Sequence, residues 1–259
     1  VIEAMRFNKV DLAWYGNKSA MVAVDRAGAE IFTQTVDVSG NPGYWSLLIT
    51  HRDSKLKSLD DVWKYADELS FGNGDPNSTS GFLVPSYYVF AQNGKDPKKI
   101  FKRVLNSNHE TNALAVANKQ VDFATNNTES IGRIEVNFPE KYKDIRVIWK
   151  SPLIPSDPIA WRKSLDAGAK KVVKQFFMDY GRKGSEKEKE LKILAGLQWA
   201  PFRDSDNNQL LPIRQLQLVK DRTKIEKDTK YSAEEKARKL REIDEKLAEL
   251  NQQMAKLGR

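Results

Sequence analysis

Cysteine is absent from the 259-residue chain, which excludes disulfide frameworks, zinc–thiolate and iron–sulfur sites and thiol nucleophiles. It leaves the redox compartment open. Histidine occurs twice, as His51 and His109, too little material for a histidine-rich metal site or a Ser-His-Asp triad. No window approaches the ~18 consecutive apolar residues of a membrane span. Blocks of five or six like charges are also missing, although 43 Lys and Arg face 35 Asp and Glu for a formal charge of +8. Acids interleave the bases, so the excess suits attraction of small anions better than a nucleic-acid track. The sequence opens on Val1 without an initiator Met or a leader, and Val1 to Met5 reads as the middle of a helix. The expectation is a fragment or processed form of a longer chain.

What is present alternates between strand and helix signals. Apolar runs at 10–14, 31–38, 44–50, 121–125 and 145–149 read as strands. Helical patterns follow at 17–27, 62–69, 82–93, 112–119, 165–180 and 186–194. The alternation predicts α/β lobes with mainly parallel sheets. A weak internal similarity relates 7–13 to 117–124, each running from a helix through Asn-Lys and Val-Asp into an apolar strand. At the far end Ser232 and Glu235 form a capping box, and Leu240, Ile243, Leu247, Leu250, Met254 and Leu257 recur at helical spacing. Such a stripe serves either packing on its own lobe or a homodimer seam.

The strongest local signal is Gly72–Gly81. Two glycines free the backbone after a strand, Pro76 stiffens the turn, and Ser78, Thr79 and Ser80 stand where a helix should begin. Unpaired N–H groups and the positive dipole end make such a start an anion site, unless the hydroxyls merely cap the helix. The GK[ST] element of a Walker loop is missing, so nucleotide hydrolysis is not implied. His109 precedes a helix and either donates to an oxyanion or makes a turn. Glu129 follows a strand at its carboxyl end, where ligands sit in open α/β sheets. Asp157 is held between Pro155 and Pro158, and Tyr44 enters a strand behind a glycine turn. These residues offer donors for an oxyanion and two carboxylates for a cation, with no nucleophile–base pair. A zwitterion with a phosphate-like group and an amine fits them, and no metal or cofactor is expected.

Several ordered segments carry a resemblance: Gly72–Pro85 (GNGDPNSTSGFLVP), His109–Gln120 (HETNALAVANKQ), Trp149–Pro155 (WKSPLIP), Met5–Asp11 (MRFNKVD), Trp14–Asn17 (WYGN) and Trp199–Arg203 (WAPFR). The sequence closely resembles the phosphonate-binding proteins of bacterial phosphonate ABC transporters, from its first residue to about Val219. The resemblance implies an α/β, two-lobed periplasmic-binding-protein fold of type II, with two hinge crossings and a C-terminal amphipathic helix. The first lobe is expected from 1–50 and 157–231, the crossings at 51–69 and 150–156, the second lobe from 70–149, and the last helix over 232–259. By the same resemblance Tyr44, Ser78, Thr79, Ser80 and His109 hold a phosphonate group, and Glu129 and Asp157 hold the amine of 2-aminoethylphosphonate. The implied protein is no enzyme; it works in the periplasm, delivers its ligand to a membrane permease and binds no nucleic acid. Members also carry a signal peptide, a first strand and helix and a further loop Tyr, all of which would lie upstream of Val1. Two other readings are a binder of another tetrahedral oxyanion (phosphate, phosphite, a phosphate ester or a sulfonate) and a phosphoryl-transfer enzyme.

Overall fold

Six consecutive residues, Ser46 to His51, are all buried, and a strand buried on both faces needs a layer packed on each side. The computed structural model, which describes residues 1–257, supplies those layers. The strand is β4 of a chain whose other strands are β1 (Leu12–Trp14), β2 (Ala29–Asp37), β3 (Gly43–Tyr44), β5 (Ser70–Gly74), β6 (Arg103–Ser107), β7 (Phe123–Asn127), β8 (Ile145–Lys150), β9 (Ile154–Pro155), β10 (Pro158–Arg162) and β11 (Trp199–Asp204). They form a four-stranded sheet ordered β1-β10-β2-β11, a five-stranded sheet ordered β6-β5-β7-β4-β8, and the pair β3-β9 between them.

Each large sheet carries apolar layers on both sides. Leu48, Phe71, Phe123 and Val62 build one side of the five-stranded sheet, with the Phe71 and Phe123 rings stacked at 4.6 Å. Ile49, Val116, Ala124 and Ile134 build the other. Around the four-stranded sheet, Met5, Ala20, Ala23 and Ile31 pack together, and Phe32 stacks on Trp161 at 4.0 Å. Where the sheets meet, Tyr44, Val84 and Ile154 form a small core of their own.

The mainly parallel expectation is corrected. Only β6-β5-β7 run parallel; β4 is antiparallel to β7 and β8, and the pairings within the first sheet are antiparallel. A strand arriving from the other sheet enters from the opposite end, which sets the direction of β4 and β10. The first crossing also lies earlier than 51–69. Ser46–His51 is already a central strand of the second sheet, and Leu56, Val62 and Leu69 pack in that sheet's core. The passage therefore runs through β3, beside the return passage at β9. Gly43 is the residue that permits this pairing, since a Cβ there would stand 1.9 Å from the Ile154 carbonyl oxygen.

The internal similarity has a structural basis. Asn8 and Lys119, in the two related segments, both take a left-handed backbone (φ 55° and 57°) that ends a helix and turns the chain toward a strand. The aromatic segment expected as a helix over 82–93 is helical without a break from Thr79 to Ala91, and its Thr79–Leu83 and Ser86–Ala91 pieces are π-helical. Leu83 N donates to Ser78 O, one residue beyond the α-helical partner.

A 17-residue helix, Leu211–Lys227, follows β11 and the short turn after it. The expected C-terminal helix spans Ala233–Lys256, with its Ser232–Glu235 capping box in place; residues 258 and 259 lie outside the described residues. Part of its stripe packs within the chain. The two helices lie against each other, Ile243 is buried, and Arg222 pairs with Asp244 at 2.7 Å.

The end of β5 meets the turn at Gly81 so closely that a Cβ on Gly74 would stand 2.4 Å from the Gly81 carbonyl. Gly74→Ala is therefore expected to destabilise the fold by about 1–3 kcal/mol in urea unfolding. Gly196→Ala, where a Cβ meets open space, should leave stability within ~1 kcal/mol of the parent or raise it.

Candidate functional site

The parallel strands β5, β6 and β7 each hand the chain to a helix start at their carboxyl ends. β5 leads to Ser78, Thr79 and Ser80; β6 leads to His109, first residue of the helix His109–Ala117; β7 leads to Thr128–Asn137, with Glu129 in its first turn. From the first sheet, β1 ends at Trp14, and Gly16 caps the helix Asn17–Ala27. Residues from these four helix starts line a single cavity of about 210 Å3. Tyr44 and Asp157, at the crossings, complete its wall. All seven residues singled out in the sequence thus meet at one place.

Hydrogen bonds hold the hydroxyl cluster in position. Gly81 N donates to Ser78 Oγ at 2.9 Å, and Lys18 N to Thr79 Oγ1 at 2.8 Å. Asn127 Nδ2 donates to Ser80 Oγ at 3.0 Å, and the Ser80 carbonyl accepts from Ser46 Oγ at 2.6 Å. His109 Nε2 lies 3.2 Å from Ser80 Oγ, while its Nδ1 is buried without a protein partner. Burial, and then the charge of Arg133, lower the His109 pKa to about 4, so the ring is neutral at pH 7. Glycine is required where backbone approaches the cluster: a Cβ on Gly81 would meet Ser78 Oγ at 2.8 Å.

The carboxylates occupy a different environment. Asp157 is buried, and Tyr44 Oη donates to its Oδ1 at 2.8 Å. Burial and then the Glu129 charge raise its pKa to about 8, although hydrogen bonds from Tyr44 and Trp14 and the charge of Arg133 pull the other way. Glu129 is also raised, by burial first, with Arg133 opposing and Asp37 adding to the shift. An unoccupied cavity at neutral pH therefore holds Asp157 as the neutral acid. Tyr44, expected on the oxyanion, has its phenolic proton on this carboxyl group.

Trp14, Gly16, Ser19, Asn127 and Arg133 also line the cavity and were not chosen from the sequence. Asn127 lay in a polar run that read as loop. Arg133 stands four residues beyond Glu129, one helical turn along the same face, and that spacing was the signal available for it. Among the described residues no group of acidic, His or Cys side chains is arranged to hold a metal ion. No described helix is long and apolar enough to cross a membrane.

A family model described as the periplasmic substrate-binding protein of a phosphonate ABC transporter matches residues 1–210. The phosphonates-binding periplasmic protein of Escherichia coli K12 is 53% identical over 251 residues, covering 97% of this chain and 73% of its own length. The crystal structure of a binding-protein component of a Pseudomonas aeruginosa ABC phosphonate transporter superposes with a TM-score of 0.95 at 58% identity, covering 100% of this chain and 84% of that one. A Prochlorococcus marinus protein in complex with methylphosphonate shares the fold at a TM-score of 0.70 and 19% identity, over 85% of this chain and 82% of its own.

Two opposed shifts make the stability of the ligand-free protein depend on pH. His109, lowered from 6.5 to about 4, contributes stability that is lost as pH falls from 6.5 to 4. Asp157, raised from 3.8 to about 8, contributes stability below 3.8 that is lost as pH rises to 8. Between pH 6.5 and 8 only the Asp157 effect of this pair operates, and stability should fall. Asp157→Asn should flatten that decline and raise the melting temperature at pH 8 by about 2–4 °C, the shift given by ~1 kcal/mol in a chain of this size. Scanning calorimetry across pH 6 to 8.5 is the check; a parallel decline in the variant would contradict the assignment.

Proposed function

The chain belongs to the family of periplasmic substrate-binding proteins of phosphonate ABC transporters, and from that premise we propose that it captures aminated phosphonates such as 2-aminoethylphosphonate for a membrane permease. The reading rests on one observation: a single small cavity joins a hydroxyl and helix-start cradle to two partly or fully buried carboxylates. The phosphonate oxygens accept from the backbone and hydroxyl groups of Ser78, Thr79 and Ser80, with the neutral His109 ring beside them. Helix dipoles favour the anion. The ammonium group lies against Glu129 and Asp157.

Approach of that ammonium ionises Asp157, whose proton is released to solvent. The site thus favours a cationic tail over an apolar one through an ion pair that the ligand itself induces. A ligand lacking the amine leaves Asp157 protonated and hydrogen-bonded to Tyr44.

The two sheets act in this proposal as lobes that close about the paired crossings β3 and β9. Residues from both sheets touch the cavity, so ligand contacts complete only when the lobes are together, and binding favours that state. Closure excludes water, which makes each hydrogen bond to the phosphonate charge worth about 1.5–3 kcal/mol.

Titration calorimetry separates the two ends of the ligand. Ser78→Ala or His109→Ala should weaken methylphosphonate and 2-aminoethylphosphonate alike, by roughly 10- to 150-fold for a loss of that size. Glu129→Gln should weaken the aminated ligand about tenfold and leave methylphosphonate within about twofold. Equal losses for both ligands in Glu129→Gln would refute the amine assignment, and wild-type preference for phosphate or a sulfonate would refute the ligand class.

A further inference from the structure

A larger cleft, of about 840 Å3, lies away from the phosphonate cavity and shares none of its lining residues. One wall comes from the segment after the second π-helical piece, with Lys95, Lys98 and Lys99. The other comes from the end of helix Leu211–Lys227 and the turn beyond it, with Lys220, Lys224, Lys227 and Lys230. Phe82, Phe90 and Ile100 contribute apolar surface.

Seven lysines and two aspartates therefore line the cleft, and each aspartate accepts from a backbone amide. Asp96 Oδ1 accepts from Lys98 N at 3.0 Å, capping a helical turn, and Asp228 Oδ1 accepts from Lys230 N at 2.8 Å. Among the described residues none of the seven lysines forms an ion pair, whereas lysines elsewhere on the surface do, such as Lys55 with Glu68 and Lys174 with Asp204. The walls come close: a Cβ on Gly94 would lie 3.6 Å from Lys227 Nζ. Lys220 is half-buried over the Phe82 ring, 5.7 Å from its centroid. Burial lowers its pKa, with Asp221 pulling upward and Lys224 adding to the lowering.

We propose that this cleft is a second anion site, taking a small molecule with two or more linked phosphate groups. Like charges confined to a concavity repel one another, and an anion between them removes that cost. Lysines on both walls call for charge spread along a molecule rather than a single tetrahedral group. Flexible ammonium groups donate to phosphate oxygens without a fixed geometry. The volume lies within the range of small-molecule sites, and the concavity does not suit a flat bilayer surface.

Inorganic tripolyphosphate is the probe, titrated into the intact protein at 0.15 M salt. One molecule should bind per chain, about tenfold or more tighter than orthophosphate, and weaken steeply as salt rises. A variant carrying Lys98→Gln, Lys99→Gln, Lys224→Gln and Lys227→Gln, all at exposed positions, should lose that binding at least about tenfold while its methylphosphonate affinity is unchanged. Ser78→Ala should leave tripolyphosphate binding intact. The proposal is overturned if 1 mM tripolyphosphate does not bind at roughly this ionic strength, if binding survives in the lysine variant, or if Ser78→Ala abolishes it. Lysine-dependent binding to anionic phospholipid vesicles without tripolyphosphate binding would overturn it in favour of a membrane surface.

Discussion

Backbone N–H groups in the first turn of a helix have no acceptor within that helix, and this fold brings four such turns around one cavity. The remainder of the architecture answers to that requirement. Three of the turns follow from β6-β5-β7 running parallel, because only parallel neighbours deliver their helices at the same edge of a sheet. The fourth comes from the other sheet, so the two sheets must be held at one cavity, and the chain passes between them twice. Glycines stand where backbone meets backbone at the closest points: Gly43 against the Ile154 carbonyl and Gly74 against Gly81. A buried polar junction fixes the return passage, with Asn17 donating to the Pro155 carbonyl at 2.8 Å and Gln209 donating to both Asn17 and the Ser156 carbonyl.

The division of electrostatic labour within the cavity follows from the same layout. Hydroxyls gather at the end of β5, and at the end of β6 His109 is kept uncharged by burial. At the return crossing Asp157 is an acid whose charge is suppressed by burial and by Glu129. The chain's +8 charge is largely elsewhere. Seven lysines outside any ion pair among the described residues are gathered between the residues around 95–99 and the end of the helix Leu211–Lys227, where the interleaving of acids along the sequence conceals them. Asp96 and Asp228 stand in the sequence as neutralising neighbours, but in three dimensions they cap backbone amides.

Much of the site is legible in the amino-acid sequence, for a physical reason. Ser78, Thr79, Ser80, His109 and Glu129 each sit just after a strand signal and just before a helix signal, and that position alone puts a side chain at a sheet's carboxyl edge. The family resemblance adds their expected roles. Trp14 escapes because its membership depends on the direction in which a strand end points, whereas Arg133 is signalled only by its four-residue spacing from Glu129. The first crossing is misplaced because Ser46–His51 reads as an ordinary apolar strand, and nothing in its composition says which sheet it joins. Helix Leu211–Lys227 is overlooked because its apolar residues touch several elements and so make no clean stripe. The direction of β4 and β10 is a property of the passage between sheets, and no local pattern carries it.

The hydrogen bond from Tyr44 to Asp157 joins residues on the two adjacent passages of the chain. In the proposed closure that is the axis, where displacement is smallest, whereas the Ser78–Ser80 cradle travels with the second sheet. In that proposal Asp157 gives the cationic end of a ligand a nearly stationary origin, while Glu129 and the cradle at the anionic end move with the second sheet. Such a site works as a caliper: a molecule one methylene too short or too long arrests the jaws at a different angle, and the permease receives chain length as a change in shape.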